Sequence, residues 1–124
     1  MNNMTQTTRR AAVFLFALFT APAALAHAHL KHQYPAADAE VVASPQALTL
    51  NFSEGIESQF SGVTVTGDKQ QQVPVGAVKR NEQDKTQLIV PLEKPLTPGG
   101  YEVQWHVVSV DGHKTQGHYR FHVK

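Results

Sequence analysis

Seven histidines stand in this 124-residue chain, and three of them, His27, His29 and His32, fall within six positions. Neutral imidazole is a nitrogen ligand for transition metals. The segment before His27 decides what else that residue can offer. Arg9 and Arg10, an apolar run from Ala11 to Phe19, a break at Thr20-Ala21-Pro22 and the pair Ala24-x-Ala26 follow the order of a secretory leader. The apolar run is shorter than the roughly 20 residues that span a bilayer, and no later stretch approaches that length. Cleavage after Ala26 makes His27 the first mature residue, with a free α-amine beside its imidazole. One residue then supplies two nitrogen donors. The plainer reading is that processing simply leaves a histidine at the terminus.

A second cluster is Asp111-Gly112-His113. In a tight turn, residues i and i+2 point the same way, so a carboxylate and an imidazole converge over one spot. Gly112 permits the sharp backbone that this needs. Asp-Gly is equally an ordinary turn pair, and a bare D-x-H is a weak signal. Together with His27 the set is amine, imidazole, carboxylate and imidazole, which suits a tetragonal Cu(II) centre. Zinc accepts similar ligands, but Cu(II) stands highest in the Irving–Williams order. Cu(I) favours soft sulfur. The chain has no cysteine, and its two methionines, Met1 and Met4, lie in the leader.

His29 offers a rival geometry. A free X-X-His terminus wraps Cu(II) with its amine, two deprotonated amides and the third imidazole, and His27-Ala28-His29 fits that formula. If Leu30 already lies in a paired strand, wrapping costs ladder hydrogen bonds. His32 reads as an exposed strand residue, and His106, His118 and His122 as members of a solvated sheet face.

These groups need a scaffold, and the sequence reads as short strands between turns. The expected strands are Leu30 to Tyr34, Ala47 to Ser53, Val63 to Thr66, a weak Val73 to Val78 and Thr86 to Pro91, then Tyr101 to Val108 and Gln116 to Val123. Pro74 confines the weak one to an edge or bulge. Tyr101, Val103, Trp105 and Val107 form one apolar stripe, and Tyr119, Phe121 and Val123 another. Tyr101 follows a Pro-x-Gly corner, the place of a tyrosine-corner residue. About seven strands and no helix beyond the leader give an all-β, Ig-like Greek-key sandwich or barrel. The expected division is a secretory signal over residues 1–26 and one domain over 27–124.

The mature part holds nine basic and ten acidic residues, because Arg9 and Arg10 leave with the leader. No basic block is present, so neither nucleic acid nor an anionic membrane is implied. An exported domain without cysteine must hold together by its core alone.

The quoted residues resemble the CopC/PcoC family of periplasmic copper-binding proteins, in particular its YobA-like branch. The matching pieces are His27-Ala28-His29-Leu30, Tyr34-Pro35-Ala36, Asn51-Phe52-Ser53-Glu54-Gly55, Gln59-Phe60-Ser61-Gly62 and the block from Tyr101 to His113. The resemblance implies a Greek-key β-barrel holding one Cu(II) through the α-amine and ring of His27, with Asp111 and His113 completing the site. Glu54 matches an acidic residue near the metal, a weak ligand or a partner of one. The methionine-rich Cu(I) loop of some members is missing here. The function implied is a periplasmic copper carrier or buffer, a monomer that hands copper to an inner-membrane CopD-type protein. The general secretory route fits the leader better than the twin-arginine route. A different class, a histidine-brace oxidase or monooxygenase, shares the terminal histidine. Asp111 in an equatorial position and the absence of a flat aromatic face count against it.

Overall fold

The computed structural model describes residues 27–124, so the leader expected over residues 1–26 lies outside the described residues. Nine strands follow: β1 (Leu30–Tyr34), β2 (Glu40–Val41), β3 (Ala47–Phe52), β4 (Gly62–Gly67), β5 (Gln72–Val73), β6 (Lys79–Asn81), β7 (Asp84–Pro91), β8 (Gly99–Val108) and β9 (Lys114–Val123). A single 3-10 turn, Ser58–Phe60, precedes β4. The strands form a four-stranded sheet, β1-β3-β7-β6, and a five-stranded sheet, β2-β9-β8-β4-β5. All pairings are antiparallel except β2 with β9. This is the all-β, two-sheet architecture that the alternating pattern implies.

The alternation does the positioning. In β3, Leu48, Leu50 and Phe52 are buried between less buried neighbours. In β8 the stripe Tyr101, Val103, Trp105 and Val107 points inward, and in β9 Tyr119, Phe121 and Val123 do so. With Leu88 and Val90 of β7 and Val63 and Val65 of β4 they make one core between the sheets. Each such side chain stabilises the fold by roughly 1.5–3 kcal/mol when fully buried. Both sheets and the whole described core lie within residues 28–123.

The sequence pattern does not mark β2 or β6. A two-residue and a three-residue strand carry too little alternation to show. The weak strand over Val73 to Val78 reduces to β5 and one isolated bridge between Val75 and Leu92. Pro74, lacking an N–H, falls where the ladder breaks. Tyr101 does close a corner: its hydroxyl donates to the Thr97 carbonyl at 2.5 Å.

The β8–β9 hairpin is the longest pairing, running in unbroken register from Gly99 opposite Val123 to Val108 opposite Lys114. Trp105 packs against Phe52 of the other sheet, ring centroids 5.1 Å apart. Across the hairpin, Gly117 leaves room for the indole, since a Cβ there would lie 2.5 Å from Trp105 Cζ2.

Candidate metal centre

Three segments meet where β8 turns into β9. The first is the start of the described chain, His27 to His29. The Ser53 N–H donates to the His29 carbonyl at 2.8 Å, and the His29 N–H donates to Ser53 Oγ at 2.8 Å. Thr115 Oγ1, at the start of β9, donates to the Ala28 carbonyl at 3.1 Å, and Ala28 itself is 2% exposed. The His27–His29 peptide is thus pinned to both sheets. The second segment, Ser53 to Ile56, leaves β3 and docks on the hairpin turn. The Val110 N–H donates to the Gly55 carbonyl at 2.9 Å, and Ile56 bridges Ser109. The third is the turn itself, Ser109 to His113.

That turn is built on a buried serine. Ser109 continues the inward series of β8 and is 1% exposed. Its N–H donates to the His113 carbonyl at 2.9 Å, and the Gly112 N–H donates to the Ser109 carbonyl at 2.8 Å. Gly112 takes φ +88°, a conformation costly for residues with a Cβ. Asp111 and His113 consequently fall side by side, with His113 Nδ1 3.0 Å from Asp111 Oδ2. The Ser109 hydroxyl donates to Asp111 Oδ1. That bond is the main cause holding the Asp111 carboxyl below the usual carboxylate range, with desolvation opposing it and His113 adding to it.

The structure brings His27 to this pair. The His27 and His113 rings meet edge to face, centroids 4.7 Å apart. His27 Nδ1 is buried and has no hydrogen-bond partner, and the same holds for Glu54 Oε2 on the neighbouring loop. An unpartnered buried polar atom costs about 1–3 kcal/mol. The open hydrogen-bonding position on His27, beside the His113 ring, suits a group that binds there. Among the described residues, no set of three or more His, Cys, Asp or Glu side chains is arranged to hold a metal ion by itself. The donor set suggested by the sequence counts a fourth group that is not a side chain, the α-amine of His27. In the full chain that nitrogen is an amide joined to Ala26.

The other histidines are placed elsewhere. The His29 N–H is engaged by Ser53, so wrapping a metal through that amide breaks this bond and frees the Thr115-bound Ala28 peptide. His32 is exposed on β1, opposite Asn51. His106, His118 and His122 are exposed on the outer face of the five-stranded sheet. His118 Nδ1 lies 3.5 Å from Glu102 and His122 Nδ1 lies 3.4 Å from Glu40. A shallow concavity of about 560 Å³ lies on this outer face beside His106 and His118, apart from the Asp111 turn.

Sequence reasoning missed Ser109, Ser53 and Thr115, which hold the three segments together. Ser109 had a signal: the period-2 count along Tyr101, Val103, Trp105 and Val107 lands on it, placing a polar residue inward. Ser53 and Thr115 had none, since each acts across the fold on the terminal peptide.

Residues 30–124 match the CopC domain family. Over all 124 residues of both chains, the sequence is 56% identical to "Protein YobA" of Escherichia coli K12. It is 43% identical over 108 residues to an Escherichia coli "Copper resistance protein C", covering 82% of this chain and 84% of the relative. The crystal structure of PcoC, described as a methionine-rich copper resistance protein of Escherichia coli, superposes with a TM-score of 0.71 at 38% identity. That match covers 80% of this chain and all of PcoC.

Proposed function

The chain belongs to the CopC family, and from that premise we propose that it is a periplasmic carrier or buffer that binds one Cu(II) ion as cargo at the His27, Asp111 and His113 cluster. The observation that carries this reading is the buried, unpartnered Nδ1 of His27 beside the His113 ring. Once residues 1–26 are removed, the α-amine and Nδ1 of His27 can close a six-membered chelate on one ion. His113 adds a second imidazole and Asp111 a carboxylate, a nitrogen-rich tetragonal set that favours Cu(II). Glu54 is the neighbouring acidic residue, as a weak ligand or as a partner to one. His29 stays outside the site, because its amide is committed to Ser53.

The leader supports export, and among the described residues no helix is long and apolar enough to cross a membrane. Loading follows export and processing, which create the terminal amine. Release is a matter of proton competition and of a receiving protein, for which an inner-membrane transporter of the CopD type is the candidate. A binding role is preferred to an oxidase role because the carboxylate beside His113 fills a position that oxygen chemistry needs open.

Electron paramagnetic resonance of the protein processed to His27, with one equivalent of Cu(II), tests the assignment. The expected spectrum is a single tetragonal centre with three nitrogen donors, and His113→Ala removes one of them. A spectrum unchanged by His113→Ala, or one typical of an unstructured histidine-rich peptide, contradicts it.

A further inference from the structure

The peptide unit joining Ala28 to His29 is held on both of its polar groups by hydroxyls from opposite sheets. Thr115 Oγ1, in β9, donates to its carbonyl at 3.1 Å, and Ser53 Oγ, just past β3, accepts its N–H at 2.8 Å. The Ser53 N–H completes the pairing on the next carbonyl, that of His29, at 2.8 Å. The Ala28 side chain is part of the core. One residue before this clamp, the His27 ring meets the His113 ring, centroids 4.7 Å apart.

We propose that Ser53 and Thr115 are positioning residues that hold this unit in place and thereby direct Cu(II) to the His27, Asp111 and His113 cluster rather than to the His27-Ala28-His29 peptide alone. The role rests on the proposed copper site, whereas the clamp itself belongs to the metal-free protein. The two modes compete for the same amine, so only one forms at a time. In the wrapped mode the ion takes the His29 backbone nitrogen as a ligand, in place of the hydrogen that Ser53 Oγ accepts. Wrapping also folds the peptide around one centre, which draws the Ala28 methyl from the core and its carbonyl from Thr115. In the cluster mode these contacts stay, because only His27 of this segment reaches the ion. Specificity is a difference between two affinities, and the clamp lowers that of the wrapped mode without touching the metal.

The test compares the protein processed to His27 with the synthetic peptide His-Ala-His-Leu, each with one equivalent of Cu(II), by electron paramagnetic resonance. The peptide supplies the four-nitrogen reference for the wrapped mode, and the parent protein should show three nitrogens. The Ser53→Ala/Thr115→Val double variant should gain the peptide's four-nitrogen spectrum, which a further His29→Ala substitution removes. Ser53→Thr and Thr115→Ser each keep the hydroxyl and should retain the parent spectrum. A purely structural role weakens binding without changing the donor count, so a folded double variant with the parent's spectrum overturns the proposal. A second readout needs no variant. In the metal-free processed protein the His29 N–H should exchange with solvent more slowly than in the peptide; equal rates overturn the proposal even if the double variant does not fold. The two readings fail separately. A slowly exchanging His29 N–H in a protein that does not bind Cu(II) refutes the copper site alone, whereas a three-nitrogen centre that survives in the double variant refutes the positioning alone.

Discussion

The hydrogen bond from Ser109 holds the Asp111 carboxyl below its usual range, so this group stays ionised through mild acid. A terminal amine titrates at about 7.7–8.0 and an imidazole at about 6.5, and both must be deprotonated to bind. Copper affinity is therefore predicted to fall steeply below about pH 6, as read by competition titration; an affinity that is flat between about pH 8 and pH 5 contradicts the donor set. For stability the sign is set by the same lowered carboxyl. Its contribution is present above the ordinary aspartate value and is lost as the pH falls through the lower folded value. His113→Ala and Asp111→Ala should each weaken Cu(II) binding while leaving the fold intact, because both residues sit on an exposed turn; Asp111→Ala should also lower the urea midpoint slightly, because the buried Ser109 hydroxyl loses its acceptor.

At the scale of the element, the β8–β9 hairpin carries the candidate site. Its register places Trp105 over Gly117, and Ser109 follows its last paired residue, Val108. Gly117→Ala drives a methyl into the indole, and overpacking of this kind costs about 1–3 kcal/mol. A lowered urea midpoint should report it; an unchanged midpoint shows that the hairpin yields more easily than its packing suggests. Tyr101→Phe removes the hydroxyl that closes the Thr97 corner and should cost about 1 kcal/mol by the same measurement. Both substitutions lie in the strands rather than at the candidate site, so the protein processed to His27 should retain its Cu(II) spectrum in each.

For the whole molecule, the candidate site lies where the His27–His29 peptide joins the two sheets, so binding there should stabilise the fold. A ligand that binds only the folded state adds about 2.7 kcal/mol at a free concentration of 100 times Kd. Thermal denaturation of the processed protein should therefore shift upward with one equivalent of Cu(II). No shift contradicts selective binding to the folded protein. Much of this architecture was legible from residue pattern. The inward stripes of β3, β8 and β9 follow from strict alternation, and the Asp111-Gly112-His113 turn follows from the glycine. The short strands β2 and β6 were not legible, because two or three residues show no period. Nor was the pinning of Ala28 by Thr115 or of His29 by Ser53. Those contacts join residues 87 and 24 positions apart, and nothing local in either partner announces them.

The most direct test of the central claim is one added residue. Cu(II) affinity is compared for the protein beginning at His27 and for the same protein with a single glycine before it. The extension turns the α-amine into an amide and moves the free amine out of reach, while leaving every strand intact. Binding weaker by orders of magnitude in the extended form is the predicted result; equal affinity in the two forms would contradict a site built on the terminal histidine.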